Sequence, residues 1–429
     1  MRFRFSLLAI FAVLLTLSVS AASFLHPAEA GAKPVGVLRW QNTPIKIAFS
    51  ASLFETAPNI KQGSDPAAAL RRSLATWERA ANIRFIEISS EKLSASPAGR
   101  SGDGVSLITV AGTAENVALF SKDPDEVAAA TRVFYDRKGA ITEADIVLNP
   151  YQQFSGDGTF GTFDLESTFT HEIGHLLGLD HSDLVSSAMY ENYGQNGVYG
   201  SENFTARKLA ASDLAAIRAK YGVAGDEECC GAVTGKLPLA AKYSKSFSVW
   251  AEDAVTGAVH AQAAVAAGGA FRLEGLPAGN YRILAQTALY SRNPASVVEL
   301  GEVSVVPGSS VGLSKRVQLT SVGVDLQHVG LNGEIAGLPV AADRGKTFTI
   351  YLAGNGLTGR GIKFGSTSPF ITVLPETVAA RDYGDDITVV SLDVRISADA
   401  PPGEYSLFAA KDEAVSILPA AISIGRDRQ

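Results

Sequence analysis

Three histidines and one glutamate lie within eleven residues, at a spacing that could bind a metal ion. Residues 171–181 read His-Glu-Ile-Gly-His-Leu-Leu-Gly-Leu-Asp-His, and the whole chain contains only six histidines. On an α-helix, His171 and His175 are four residues apart and project from one face, so both imidazoles can bind one ion. Catalytic zinc takes three protein ligands and leaves a fourth position for water. The spacing predicts a catalytic zinc site with His181 as third ligand.

Two further residues complete this predicted site. Glu172 follows the first ligand, within reach of a metal-bound water, and is not needed as a ligand. Gly178 can adopt the left-handed backbone conformation that ends a helix, after which the chain can turn back toward the ion. A lone histidine on a helix is usually an ordinary core or surface residue. Five fixed residues in an otherwise apolar helix instead indicate a metal site.

The elements that would position the motif form one predicted α+β unit. A helix is predicted over Pro66–Ala81, with proline in its first turn. Asp164 is expected to cap the helix that contains the motif, and a last helix is predicted over Leu209–Tyr221. The apolar stripe of the first helix is Leu70, Leu74 and Trp77. The predicted strands are Pro44–Ser50, Arg84–Ile88, Val105–Val110, Thr131–Tyr135 and Ala144–Leu148.

Length and composition limit the classes of function. The 429 residues indicate two to four domains, and 46% are hydrophobic. The 41 glycines and the charged fraction of 19% favour β-rich architecture. The formal net charge is −7, whereas nucleic-acid binding needs clustered positive charge. Nucleic-acid partners are therefore not expected.

Residues 1–30 are predicted to be a signal peptide. Arg2 and Arg4 precede an apolar run from Phe5 to Val19, which is short for a membrane span. Small-residue cleavage sites end at Ala21 and Ala30. We therefore expect secretion to the extracellular space, with the periplasm as the alternative, and no stable membrane insertion after cleavage. An uncleaved N-terminal anchor is the other possibility.

From residue 230 onward the helical periodicity is lost. Short β-rich runs alternate with Gly, Pro and Asp turns, as in β-sandwiches. Residues 277–281 and 401–405 share a Pro-x-Gly-x-Tyr turn. Two β-sandwich domains are predicted, over residues 230–318 and 320–429. At their start, Cys229 and Cys230 are expected to be two thiols, with a vicinal or intermolecular disulfide as the alternative.

The pattern His-Glu-x-x-His-x-x-Gly-x-x-His resembles the signature of metzincin zinc peptidases. Metzincins also have a methionine turn, and Met189 lies eight residues after His181 in a Ser-Ala-Met-Tyr sequence. This turn resembles that of the matrixin (matrix metalloproteinase-like) branch, and the resemblance extends over about residues 36–224. It implies an α+β fold: a metzincin-type catalytic domain over residues 31–226, with a mixed twisted sheet and three main helices, before the β-sandwiches.

The resemblance also implies roles for individual residues. Glu172 would be the general base and later the proton donor. Met189 would form a hydrophobic floor, and Tyr193 would help to wall the pocket for the residue after the scissile bond. The strand Thr131–Tyr135 would pair with an extended protein or peptide substrate by β-augmentation. The implied zinc ligands are His171, His175 and His181.

The sequence departs from the animal matrixins at several points. Those enzymes have a prodomain cysteine that blocks the zinc, but here no cysteine precedes Cys229. A second, histidine-rich zinc site is not expected, because His26, His260 and His328 lie outside the catalytic unit. Glu191 stands where the family usually has proline, so the pocket is expected to differ in shape.

Calcium is a second possible cofactor. Carboxylates are the hard ligands that Ca²⁺ prefers, although solvated acidic loops are the simpler interpretation. The candidate ligands are Asp123, Asp125, Asp136 and Asp145.

The predicted function is that of an exported zinc endopeptidase. Residues 231–318 resemble a carboxypeptidase-regulatory-like (transthyretin-like) β-sandwich, and residues 320–429 resemble an Ig-like one. The alternative is a catalytically weak or inactive surface-binding or adhesion protein that uses these modules to bind a surface or glycan ligand. A second alternative is an enzyme that acts on a non-protein substrate, such as a glycan-decorated surface.

Overall fold

The structure is a computed structural model that describes most of the chain. The described residues are 22–25, 37–97, 102–122, 124–125, 127–192, 194–225, 229–239, 247–266, 268–291, 294–315, 319–384 and 387–425. The helices are α1 Pro66–Ala80, α2 Ala114–Val117, α3 Leu165–Leu176 and α4 Ala211–Tyr221. The first eight strands are β1 Ala22–Leu25, β2 Ile45–Ser50, β3 Phe85–Ser90, β4 Leu107–Thr109, β5 Ala129–Tyr135, β6 Ile141–Leu148, β7 Phe154–Ser155 and β8 Phe163–Asp164.

The predicted N-terminal α+β unit is present. Its six-stranded mixed sheet has the order β1-β5-β6-β4-β2-β3. Strands β5 and β6 are antiparallel, and the other neighbours are parallel. The edge strand β1 pairs with β5 from Ala22 opposite Ala129 to Leu25 opposite Arg132. Residues 22–25 therefore lie along the strand that we expected to pair with substrate.

The first helix forms where the sequence predicts it. The Asp65 carboxylate caps the start of α1 by accepting a hydrogen bond from the Ala68 backbone N–H at 2.8 Å. Leu70, Leu74 and Trp77 are buried on one face. The indole Nε1 of Trp77 donates to the Thr170 carbonyl at 2.9 Å. This contact joins α1 to the helix that contains the histidine motif.

The C-terminal half is built from strands alone within its described residues. The strands of residues 231–313, here the first β unit, are β9 Gly231–Lys236, β10 Phe247–Asp253, β11 Val259–Ala264, β12 Ala270–Leu276, β13 Gly279–Thr287, β14 Val298–Val305 and β15 Ser310–Leu313. Those of residues 325–424, the second β unit, are β16 Asp325–Leu331, β17 Glu334–Ala336, β18 Val340–Ala342, β19 Thr347–Asn355, β20 Lys363–Ser366, β21 Ile371–Arg381, β22 Thr388–Ile396, β23 Gly403–Lys411 and β24 Ala414–Ile424.

Each β unit contains two sheets. In the first unit the sheet orders are β11-β10-β13-β14 and β12-β9-β15, which share one buried hydrophobic cluster. In the second unit they are β17-β16-β19-β22-β21 and β18-β24-β23-β20. The hydrophobic core of the second unit is continuous with that of the α+β unit, through Tyr190 and Tyr199.

The two cysteines and the expected absence of a membrane span can be compared with the structure. Cys229 and Cys230 form a disulfide between neighbouring residues, not the two thiols that we expected. Cys230 has a φ of 143°, in the connection that leads into β9. Within the described residues no helix is long and apolar enough to cross a bilayer. The predicted apolar run of the signal peptide lies outside the described residues.

Candidate metal centre

Helix α3 positions two of the predicted ligands. As predicted, it follows the cap residue Asp164, whose carboxylate accepts a hydrogen bond from the Ser167 backbone N–H at 2.9 Å. Because all but one of its residues are buried, the helix is fixed on every side. His171 and His175 lie one turn apart on this helix, and both are fully buried.

The three predicted ligands converge on one point. The Nε2 atom of His175 lies 3.0 Å from that of His171 and 3.1 Å from that of His181. Nitrogen atoms that bind tetrahedral zinc at about 2.05 Å are about 3.3 Å apart. The three side chains are also the one group of three or more potential ligands found among the described residues. The spacing of the donor atoms therefore fits zinc.

Backbone carbonyls hold two of the imidazoles in the tautomer that binds metal. The Nδ1 atom of His171 lies 2.7 Å from the Ala188 oxygen, and that of His175 lies 2.8 Å from the Leu179 oxygen. When each Nδ1–H donates to its carbonyl, the Nε2 atom has a lone pair and no proton. Two such nitrogens 3.0 Å apart repel each other unless a cation lies between them. The arrangement therefore fits a metal site.

Burial keeps the imidazoles of His171 and His181 neutral. It lowers the pKa of His171 to about 3, an effect that the neighbouring His181 reinforces. Burial also lowers the pKa of His181, against the attraction of Glu191 and Asp180. Neutral imidazole is the form that binds a metal ion, so the ligands need no deprotonation at neutral pH.

Gly178 reverses the chain, as the sequence predicts. Its φ of 84° is left-handed, and a Cβ atom here would lie 2.5 Å from the Leu38 carbonyl oxygen. Both the backbone conformation and the space therefore require glycine. The reversal brings His181 back toward the ligands of α3.

The methionine turn lies beneath the ligands. A Cβ atom on Gly174 would lie 2.2 Å from the Met189 sulfur and 3.1 Å from a Trp77 ring carbon. Met189 therefore packs directly on α3 at the one residue without a side chain. This packing of Met189 on Gly174 was not predicted from the sequence, although a glycine in the middle of a buried helix is a signal of close packing.

Glu172 directly follows the ligand His171 in α3, the sequence position expected of the general base. It is fully buried, and burial raises its pKa to about 8, although the hydrogen bond from Thr131 acts in the opposite direction. The Thr131 hydroxyl on β5 donates to Glu172 Oε2, whereas Oε1 accepts no hydrogen bond from a described residue. A bound cation would favour the ionised form. Thr131 was predicted only as part of the strand that binds substrate, and its contact with Glu172 was not predicted.

Helix α4 fixes the methionine turn through Asp213. This carboxylate accepts hydrogen bonds from the backbone N–H groups of Ala188 at 2.8 Å and Ala210 at 2.7 Å, and from the Ser187 hydroxyl at 2.5 Å. These contacts of Asp213 were not predicted from the sequence. Its place in the first turn of a helix was the available signal for a capping role.

The other residues that the sequence singled out do not join the histidine cluster or lie outside the described residues. Tyr193 and Asp123 are outside the described residues. The Asp136 carboxylate accepts hydrogen bonds from the turn that it begins, and Asp145 is buried against two backbone N–H groups. Glu191 is exposed. The contacts of Asp136 and Asp145 give no support to calcium.

Comparison with solved structures finds β-rich proteins at low similarity. The major pilin subunit BcpA of Bacillus cereus is 13% identical, with 45% of this chain and 69% of the pilin covered and a TM-score of 0.15. A C-terminal intimin fragment in complex with its receptor's intimin-binding domain is 11% identical, with 43% and 59% covered and a TM-score of 0.14. An I-band fragment of titin is 10% identical, with 42% and 54% covered and a TM-score of 0.14. Such scores support no assignment.

Comparison at the level of families gives a match to the α+β unit. The chain matches no curated protein. The model of the peptidase M10 family, the matrixins, matches residues 39–222. This range includes the three histidines, Glu172 and Met189, and it confirms the resemblance inferred from the motif. Residues 39–222 are therefore a matrixin-family metallopeptidase domain.

Proposed function

We propose that the chain is an exported zinc-dependent endopeptidase that hydrolyses peptide bonds in proteins or peptides. The observation that carries this proposal is the convergence of three imidazole Nε2 atoms, together with the buried Glu172 that follows His171 in α3. The matrixin match supports the reaction type. Export rests on residues 1–30 of the sequence alone.

The proposed mechanism assigns one task to each side chain. His171, His175 and His181 would hold the zinc. In such a site zinc supplies Lewis-acid polarisation of the scissile carbonyl and lowers the pKa of water. Glu172 would accept the proton of the attacking water at Oε1, the oxygen without a partner, and pass it to the leaving amine. The Thr131 hydroxyl would keep the carboxylate oriented by its bond to Oε2.

Substrate would bind in an extended conformation along β5. This strand is next to the outer edge of its sheet, where β1 now pairs with it. A substrate strand at the same place would use the same backbone groups. Tyr193 is proposed to wall the pocket for the residue after the scissile bond, and Met189 to form the floor of the site.

Digestion of unfolded casein by the purified full chain tests this proposal. We expect cleavage that a chelator abolishes and added zinc restores. A protein that binds zinc at the three histidines but cleaves no casein would contradict the proposal. That result would favour the alternative of an inactive surface-binding protein, or of an enzyme with a non-protein substrate. N-terminal sequencing of protein recovered from the culture medium tests export.

A further inference from the structure

We propose that the two β units position the loop that borders the metal centre, with Tyr199 as the main positioning residue. The loop comprises residues 182–192 and 194–207 and is here called the flanking loop. The β units would then be part of the peptidase, and not appended targeting modules. This inference rests on the proposed function, because it concerns the same site.

The flanking loop begins and returns at the metal ligands. It follows His181 directly, and the Ser182 backbone N–H donates to the Met189 carbonyl at 2.9 Å. The Ala188 oxygen accepts the hydrogen bond that fixes His171. A shift in this loop would therefore alter both the ligands and the space beside them.

The far end of the loop is also held by the catalytic domain. Arg207 forms a two-point ion pair with the buried carboxylate of Asp164, at 2.8 and 2.5 Å. Asp164 is the cap of α3, so this pair ties the loop to the start of the ligand helix. The loop is thus held near the metal ligands at its start and by Arg207 at its end. Between these two points, around Tyr199, it makes its most extensive polar contacts with the β units.

Tyr199 is inserted into the second β unit. Its side chain is 7% exposed, and its hydroxyl lies 2.9 Å from the carbonyl oxygens of both Val329 and Leu338, to which it donates one at a time. Its backbone N–H donates to Glu334 at 2.7 Å, and its carbonyl accepts from the Asn332 amide at 2.8 Å. The second β unit therefore satisfies the hydroxyl and both backbone polar groups of this residue.

The backbone conformation of Tyr199 depends on these contacts. Its φ of 62° is left-handed, which is unfavourable for a bulky residue without external stabilisation. Burial, with the nearby charge of Glu334, raises the pKa of its hydroxyl above the ordinary value. The hydroxyl therefore stays a donor at all working pH values.

Additional contacts hold the first part of the loop. Leu184 is buried in a hydrophobic cluster with Trp250 of the first β unit and Ile417 of the second. The amide of Gln262 donates to Asp183 at 3.2 Å. A Cβ atom on Gly337 would lie 3.5 Å from the Tyr190 ring, so the second β unit also approaches the residue after the methionine.

The two β units are joined to each other, so they can act as one support. The buried carboxylate of Glu252 accepts hydrogen bonds from Arg282 at 2.7 Å and from Ser406 of the second unit at 2.8 Å. Gln286 exchanges two hydrogen bonds with the backbone of Ile417. The contacts with Ser406 and Ile417 cross from one unit to the other and restrict their relative movement.

The test compares full-length variants by amide hydrogen exchange and by cleavage of peptides that differ only in the residue after the scissile bond. Tyr199→Phe removes the buried hydroxyl, and Asn332→Gly removes an exposed side chain while tolerating the left-handed φ of 56° at that position. The control is Tyr405→Phe, which removes a part-buried hydroxyl of another buried tyrosine; it donates to Pro401 inside the second unit at 2.8 Å.

In Tyr199→Phe and Asn332→Gly we expect the amide hydrogens of residues 194–207 to exchange faster than in the wild type. KM should rise about three- to tenfold, the equivalent of one hydrogen bond. We expect the loop to contact the substrate equally in the ground state and in the transition state, so kcat should change less than about twofold. The preference for the residue after the scissile bond should shift. Tyr405→Phe should match the wild type in these readouts even if its Tm falls equally.

The inference is wrong if the amide exchange of residues 194–207 is unchanged in these variants. It is also wrong if that exchange is faster while KM and the preference for the residue after the scissile bond stay unchanged. A wild-type chain that cleaves no peptide would refute the proposed function instead. In that case the exchange of residues 194–207 still decides whether the β units position the loop.

Discussion

The carboxylate of Asp213 and the imidazole of His171 are connected through the backbone of a single residue, Ala188. Asp213 accepts the hydrogen bond of the Ala188 N–H at 2.8 Å, and the Ala188 oxygen lies 2.7 Å from Nδ1 of His171. The first turn of α4 therefore fixes the tautomer and orientation of a ligand on α3. Residues that act through ligands in this way influence metal affinity.

Replacement of Asp213 by asparagine should weaken zinc binding. Asparagine would present an amide N–H₂ to one of the N–H donors that the carboxylate now accepts, so the methionine turn would move. We expect the Kd for zinc to rise about ten- to a hundredfold, as measured by competition with a chelator of known affinity. Asp399→Asn, at an exposed position, is the control. Equal affinities in the two variants would show that the Asp213 contact does not affect the ligands.

Gly174→Ala tests the packing of Met189 on α3. Alanine has the higher helix propensity by about 1 kcal/mol, but its Cβ atom would lie 2.2 Å from the methionine sulfur. We expect a net loss of about 1–3 kcal/mol in the free energy of unfolding, together with lower activity, from urea titrations and peptide assays. Gly312→Ala, where a Cβ meets nothing within 4 Å, should be nearly neutral. A more stable Gly174→Ala protein would contradict this packing.

Cleavage of the signal peptide after Ala30, which removes β1, should give a higher affinity for substrate than cleavage after Ala21, which keeps it. Strand β1 pairs with β5 at residues 129–132, the place proposed for substrate. Without it, the backbone groups of β5 become available, and KM should fall by about tenfold, the equivalent of one or two hydrogen bonds. The control lacks residues 1–21 only and keeps β1. The two truncated proteins would have the same KM if β1 did not compete with substrate.

Asp145 should titrate near pH 6. Burial raises its pKa to about 6, although the N–H groups of Ser96 and Leu107 stabilise the charged form. The folded-state pKa is above the unfolded value of about 3.9. The folded chain therefore binds the extra proton between about pH 4 and 6, and stability falls as pH rises through this window. A carboxyl ¹³C titration by NMR measures this pKa. Calcium should leave the curve unchanged, and a lower pKa on adding calcium would restore the calcium hypothesis for this residue.

The sequence was sufficient for the parts of the site that depend on local spacing. His171 and His175 are one helical turn apart, the cap Asp164 precedes them, and Gly178 reverses the chain; the structure confirms each. The motif also predicted His181 as the third ligand, and its side chain lies in the same cluster as those of His171 and His175. These features are set by backbone geometry over a few residues.

The contacts between distant segments could not be predicted in the same way. The bond from Thr131 to Glu172 joins residues 41 positions apart, and Tyr199 meets Leu338 across 139 positions. Such pairs depend on how β5 lies beneath α3 and how the second β unit docks, which no local pattern specifies. The sequence therefore predicted the β units as separate modules, and their contact with the flanking loop is found only in the structure.

Cleavage by the Glu172→Gln variant tests the central claim most directly. Its rate on a peptide substrate would be compared with that of Glu166→Gln, a change on the same helix at a carboxylate paired with Arg72. With equal zinc contents in both proteins, we expect Glu172→Gln to lose about a hundredfold to ten-thousandfold in kcat, and Glu166→Gln to stay near the wild type. A zinc-loaded Glu172→Gln protein that cleaves at the wild-type rate would contradict the proposed role of Glu172.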